Sequence, residues 1–76
     1  MKKLLEAIIY ALVDNKDQVV INEQEDEDGN VILKISAAES DLGKIIGKSG
    51  NTITAVRKII KAYAMKLKKK VTVEVL

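Results

Sequence analysis

Apolar residues recur through the first fifteen positions at the spacing of an amphipathic helix. Leu4, Leu5, Ile8, Ile9, Leu12 and Val13 share a face, with Lys2, Lys3, Glu6 and Tyr10 around them, which predicts a helix from about Lys2 to Asn15 packed against a sheet. The period then shortens. Val19, Val20 and Ile21 mark a strand within Asp17 to Glu25, and the run Val31 to Ala37 sets Val31, Leu33, Ile35 and Ala37 against Ile32, Lys34 and Ser36. Such alternation is what a half-buried strand requires. Asp28-Gly29 between the runs signals a hairpin, because a tight turn needs a residue that accepts positive φ.

The helical period returns from Glu39 to Ile46, with Glu39 and Asp41 in the first turn, where negative charge suits the positive end of a helix dipole. Gly47-Lys48-Ser49-Gly50 interrupts it. A longer helix is predicted from Asn51 to about Leu67, with Ile53, Val56, Ile59, Ile60, Tyr63, Ala64 and Leu67 on its apolar face. Val71, Val73 and Val75, alternating with Thr72 and Glu74, form a third strand. The order helix, strand, strand, helix, helix, strand predicts an α+β fold with three helices on one face of a three-stranded sheet. The 76 residues give room for one such domain, residues 1–76, with no linker or internal repeat.

Composition narrows the chemistry. There is no cysteine, so disulfides and thiolate chemistry are excluded, and no histidine, which removes the usual general base and the usual metal ligand. No nucleophile–base pair is visible either; Ser49 has no histidine to activate it, so the chain reads as a non-enzyme that needs no cofactor. The longest apolar run, Ala7 to Val13, is far short of the roughly 20 residues a membrane-spanning helix needs. The amino terminus lacks the shape of a cleaved secretion signal, and a cytoplasmic protein is the expectation.

The net charge of +2 conceals a strong asymmetry. Residues 1–38 carry four lysines and eight acids, a balance of −4, whereas residues 39–76 carry eight lysines, one arginine and three acids, a balance of +6. Between Leu42 and Val73 there are nine bases and no acid. An anion would be met by the second half, although lysines on a helix also serve simply as a solvated face.

Two glycine motifs invite stronger readings, and both fail on register. With Gly29 at the turn position of a calcium-binding loop, the first ligand would be Gln24 and the closing bidentate acid Ile35, so Glu25 to Asp28 read as a solvated hairpin tip with no metal. A nucleotide-binding P-loop ending in Gly47-Lys48-Ser49 would need its first glycine at Leu42, with a strand before it. Gly43 is one residue out of place, and a helical segment precedes the loop. What remains is Ile46-Gly47-Lys48-Ser49-Gly50 between two helices. Glycines three apart permit a backbone approach too close for side chains, and the following helix aims free amides and a positive dipole end at the same place. The tetrapeptide alone fits a tight helix-to-helix turn equally well.

The longer string Asp41-Leu42-Gly43-Lys44-Ile45-Ile46-Gly47-Lys48-Ser49-Gly50-Asn51-Thr52-Ile53-Thr54-Ala55-Val56-Arg57 resembles the glycine-loop signature of KH domains, whose GXXG loop joins two helices and clamps nucleic-acid backbone. The element order is similar to the bacterial type II arrangement. Length, and the short Lys68-Lys69-Lys70 connection, make the whole chain similar to the small stand-alone KH proteins of the KhpA family. The resemblance implies a type II KH-like fold and a protein that binds single-stranded RNA, with low sequence specificity, as a dimeric RNA chaperone or post-transcriptional regulator. It makes Gly47, Lys48, Ser49 and Gly50 the backbone clamp, with Ile46 and Ile53 as apolar supports and Lys44 and Arg57, then Lys58 and Lys61, as further contacts. It also implies a homodimer, or a heterodimer with a longer KH-containing partner, KhpB. Tyr63, on the apolar stripe, reads as core or interface in preference to a stacking platform. The competing reading is a protein-interaction domain with weak or no RNA binding, against which the basic, acid-free loop stands.

Overall fold

Period and alternation translate into six principal elements in the computed structural model, which describes residues 1–76: α1 (Lys2–Leu12), β1 (Val20–Glu25), β2 (Asn30–Ser36), α2 (Glu39–Ile46), α3 (Asn51–Lys66) and β3 (Lys70–Val75). Strand β2 is central. It pairs antiparallel with β1, Ile21 opposite Ile35, and parallel with β3, Leu33 opposite Val73. A parallel pair cannot be joined by a tight turn, and the β2–β3 crossover is made by α2 and α3.

The alternation seen in the sequence now acquires a direction. Val31, Leu33 and Ile35 of β2 and Val71 and Val73 of β3 are buried, and onto them α3 lays Ile53, Val56, Ile60 and Ala64, one residue per turn. Leu5 and Ile9 of α1, Val13 just beyond it, Ile21 of β1 and Ile45 of α2 complete the core. Burial of each large aliphatic side chain contributes about 1.5–3 kcal/mol, so this layer, and not the few solvent-screened ion pairs, fixes how α2 and α3 sit on the sheet.

Several boundaries differ from the periodic reading. Helix α1 stops at Leu12, three residues short of Asn15, because Val13 turns extended (φ −101°, ψ 158°) while still burying its side chain. Strand β1 starts at Val20, not Asp17; Lys16–Gln18 instead form a short 3₁₀ turn, closed by Gln18 N–H to the Asn15 carbonyl at 3.1 Å. On α3 the apolar face is wider than its contact with the sheet. Ile59, Tyr63 and Leu67 remain 50%, 39% and 44% exposed, so Tyr63 is not core.

The acidic hairpin tip is organised by its own side chains. Oδ1 of Asp26 accepts the Asp28 and Asn30 N–H groups, both at 2.9 Å, and Oδ2 accepts the Asn30 side-chain amide at 2.9 Å. These bonds, the Asn30 side chain foremost, hold the Asp26 carboxyl below its ordinary range. Asp26 therefore shapes the turn, with Gly29 at φ 81°.

Candidate nucleic-acid interface

The loop between α2 and α3 takes its shape from three residues in the left-handed half of backbone space: Gly47 at φ 77°, Ser49 at φ 55° and Gly50 at φ 74°. Gly47 also has ψ 173°, a combination essentially restricted to glycine. Its missing side chain is filled by the first turn of α3: a Cβ there would lie 2.1 Å from Thr52 Oγ1 and 2.8 Å from the Thr52 backbone nitrogen. Gly50 has open space around it. The two glycines thus serve different ends, one packing the loop against α3 and the other leaving its outer surface bare.

Hydrogen bonds finish the turn. Gly47 N–H reaches the Gly43 carbonyl at 2.8 Å, Gly50 N–H reaches the Gly47 carbonyl at 3.1 Å, and Asn51 N–H bonds to the Lys48 carbonyl. The Thr54 hydroxyl donates to the Gly50 carbonyl at 2.8 Å. The Lys48 and Ser49 N–H groups lie outside this set, at the tip, beside the positive end of the α3 dipole. Lys48 has no acidic partner. Exposed amides, a helix N-terminus and a free cation on a bare backbone surface suit a phosphate oxygen.

The remaining predicted site residues divide. Ile46 is 39% exposed next to the loop, as an apolar contact requires, but Ile53 is 6% exposed and belongs to the core, so it offers no surface to a ligand. Lys44 is not a free cation. Its ammonium donates to the Asp14 carboxylate and lies 3.7 Å from Asp41 Oδ1; the bond to Asp14, opposed by partial burial, raises its pKa. Arg57 is half-buried and gives Nε to the Val73 carbonyl at 3.1 Å. This bond places the guanidinium over β3, because α3 runs back along that strand from the loop. Lys58 and Lys61 project into solvent without acidic partners.

The structure adds a residue that the sequence reading assigned only to the helix dipole. Asp41 is the one buried charged side chain, at 1% exposure. Its carboxylate accepts Asp14 N–H at 3.2 Å, Asn15 N–H at 3.0 Å and Asn15 Nδ2 at 3.2 Å, tying the end of α1 to the helix that leads into the loop. Burial pushes the Asp41 carboxyl upward, but the Asn15 and Asp14 amides and the Lys44 charge outweigh it and hold the pKa below the ordinary 3.8. A depressed pKa means that this contribution is present above about pH 4 and is lost as pH falls through the folded-state value. Asp41→Ala leaves the Asp14 and Asn15 amides without their acceptor and is expected to lower the thermal midpoint by roughly 10 °C near pH 7. Thermal unfolding of parent and variant between pH 7 and pH 3 checks this: the gap should close toward low pH, and equal midpoints at pH 7 would contradict the assignment.

A helix–GXXG–helix loop beside a sheet whose β2 and β3 run parallel defines a KH domain of the type II arrangement. The family model described as KhpA/KhpB, KH domain, matches residues 2–75, and the chain belongs to that family. It is 45% identical over 76 residues to a protein from Clostridium acetobutylicum named RNA-binding protein KhpA, covering all of both chains. Proteins of the same name from Clostridium perfringens and Listeria monocytogenes are 42% and 34% identical over 76 residues, covering all of this chain in each case and 100% and 99% of theirs. These names describe binding proteins, and a binding module, not an enzyme, is the class they define.

Proposed function

We propose that residues 1–76 act as one cytoplasmic KH module that holds short single-stranded RNA across the Gly47–Gly50 loop, with low sequence selectivity. The observation that carries this reading is the loop itself: a bare backbone surface at Gly50, two tip amides outside the turn's own hydrogen bonds, and Lys48 with no intramolecular partner. The relatives' printed name, RNA-binding protein, supports RNA as the ligand. Bases would lie toward exposed Ile46 and half-buried Arg57, whereas Lys44 is withheld by its two carboxylates. The test is RNA affinity of a folded variant with reversed loop charge, Lys48→Asp with Ser49→Asp, which should lose binding.

A single short clamp gives modest affinity, and pairing modules raises it through effective concentration. Self-association, or pairing with a longer KhpB-type chain, is supported by Ile59 and Tyr63 of α3 and Leu67 at its C-cap, exposed apolar residues spaced about one turn apart. The family's description names KhpA and KhpB together. Such a dimer suits a post-transcriptional regulator or RNA chaperone, which must hold strands without reading long sequences. Ile59→Glu should convert a dimeric parent to monomer in sedimentation equilibrium while shifting the thermal midpoint of the monomer by only a few degrees. A parent chain that sediments as monomer at high concentration contradicts this part of the proposal.

A further inference from the structure

The far end of α3, about 22 Å from Gly50 by helical rise, carries a second feature that the loop does not explain. A hollow of about 220 Å³ opens between α3 and β3, lined by Lys61, Ala64, Met65, Lys69, Lys70 and Val71. Its floor is apolar, with Ala64 and Val71 buried, and Met65 beside it is 76% exposed, the most exposed of the large apolar side chains. Nothing in the core accounts for that methionine. Three lysines surround the hollow, and only Lys69 has an acidic partner, Glu25 at 2.8 Å.

Lysines near a helix C-terminus have an ordinary explanation, since they favour the negative end of the dipole. Lys66 and Lys68 are placed for that. Lys61 lies more than a turn before the helix end, and Lys70 is in β3, so neither is accounted for in this way. Lys61 also belongs to a row. Thr54, Arg57 or Lys58, Lys61 and Met65 follow one another at three- and four-residue steps, on one face of α3, from the glycine loop to the hollow. The row contains no acid.

We infer that the hollow is a second contact for the same RNA strand, taking one nucleobase against Ala64, Met65 and Val71 and the adjoining phosphates on Lys61 and Lys70. This rests on the reading of Gly47–Gly50 as the clamp. A base presents flat apolar faces and the strand one negative charge per nucleotide, which matches an apolar floor under two uncommitted ammonium groups. A flexible, polarizable methionine can lie on any base and so adds contact without sequence preference. The strand therefore leaves the clamp along α3, and the bound length exceeds the roughly four nucleotides of a lone GXXG groove.

The experiment compares the parent with Lys61→Ala/Lys70→Ala, using uridine oligonucleotides of about four and about ten residues. Shift titration followed by NMR reads weak binding of the short one. Both lysines are exposed, so folding is not at risk. A decamer offers the clamp several registers, and this statistical gain persists in the variant. The remaining advantage of the decamer, about tenfold, should vanish in the variant, with the salt slope on the decamer smaller by about 1.4 for two lost phosphate contacts. Affinity for the tetramer should be unchanged, because Lys61 lies about 16 Å of helical rise beyond Gly50 and so outside the Gly47–Gly50 clamp, whatever the resemblance implied for it. An unaltered decamer affinity, or an equal loss on both lengths, overturns the inference. The clamp reading fails separately, if Lys48→Asp/Ser49→Asp retains tetramer binding.

Discussion

Gly47→Ala is expected to lower stability by about 3 kcal/mol and to abolish RNA binding, although the substitution adds a single methyl group. Two effects act together. An L-residue at φ 77°, ψ 173° occupies a region that costs about 1–3 kcal/mol. The new Cβ would also sit 2.5 Å from Thr52 Cβ and 2.8 Å from the Thr52 nitrogen, atoms that cannot rotate away because they belong to the first turn of α3. Relief requires the loop to move off the helix, and the tip amides move with it. For a domain of this size the thermal midpoint should drop by roughly 15 °C. Gly50→Ala is the control: at φ 74°, ψ 12° it lies in the left-handed helical region, which other residues also enter, and no atom lies within 4 Å of the added Cβ. It should cost about 1 kcal/mol. Equal midpoints for the two variants in calorimetry would show that packing against Thr52 does not shape the loop.

This asymmetry between the glycines bears on what a sequence can disclose. The order of elements was legible because Val31, Leu33 and Ile35, or Ile53, Val56 and Ile60, repeat at the period of their own secondary structure. The GXXG loop was legible only through its setting, the two helical segments that frame it, the acid-free basic stretch around it and the failed P-loop register, because the tetrapeptide alone fits a tight turn equally well. What stayed hidden depends on neighbours distant along the chain. Lys44 looks free until the fold brings Asp14, thirty positions earlier, to its ammonium. Val13 continues the helical period, yet the chain straightens there, and the two following amides turn to Asp41, more than 25 positions away. The stripe on α3 tells which residues are apolar but not how wide a neighbour covers them, so Ile59 and Tyr63 could not be separated from Ile60 and Ala64.

Ile53 and Ile46 illustrate the same limit at the site. Both lie close to the loop and both are apolar, and only packing distinguishes the buried residue from the exposed one. Among the cations, Lys48 stands out once Lys44 is committed to Asp14 and Asp41 and Arg57 to the Val73 carbonyl. The proposed phosphate clamp therefore rests on a small group: the tip amides, the bare surface of Gly50 and one lysine. So compact a set is vulnerable to charge.

Replacing Lys48 and Ser49 by aspartate tests the clamp most directly. The change removes one positive charge and adds two negative ones where phosphate would lie. Neither position contributes to the core, and Lys48 makes no ion pair. Ser49 already has φ 55°, and aspartate tolerates that left-handed conformation better than most residues. Fluorescence anisotropy with an unstructured RNA of about ten nucleotides should show at least a hundredfold loss of affinity, with the circular dichroism spectrum and thermal midpoint close to the parent's. Undiminished affinity in a folded double variant would contradict the assignment of the Gly47–Gly50 loop as the phosphate clamp.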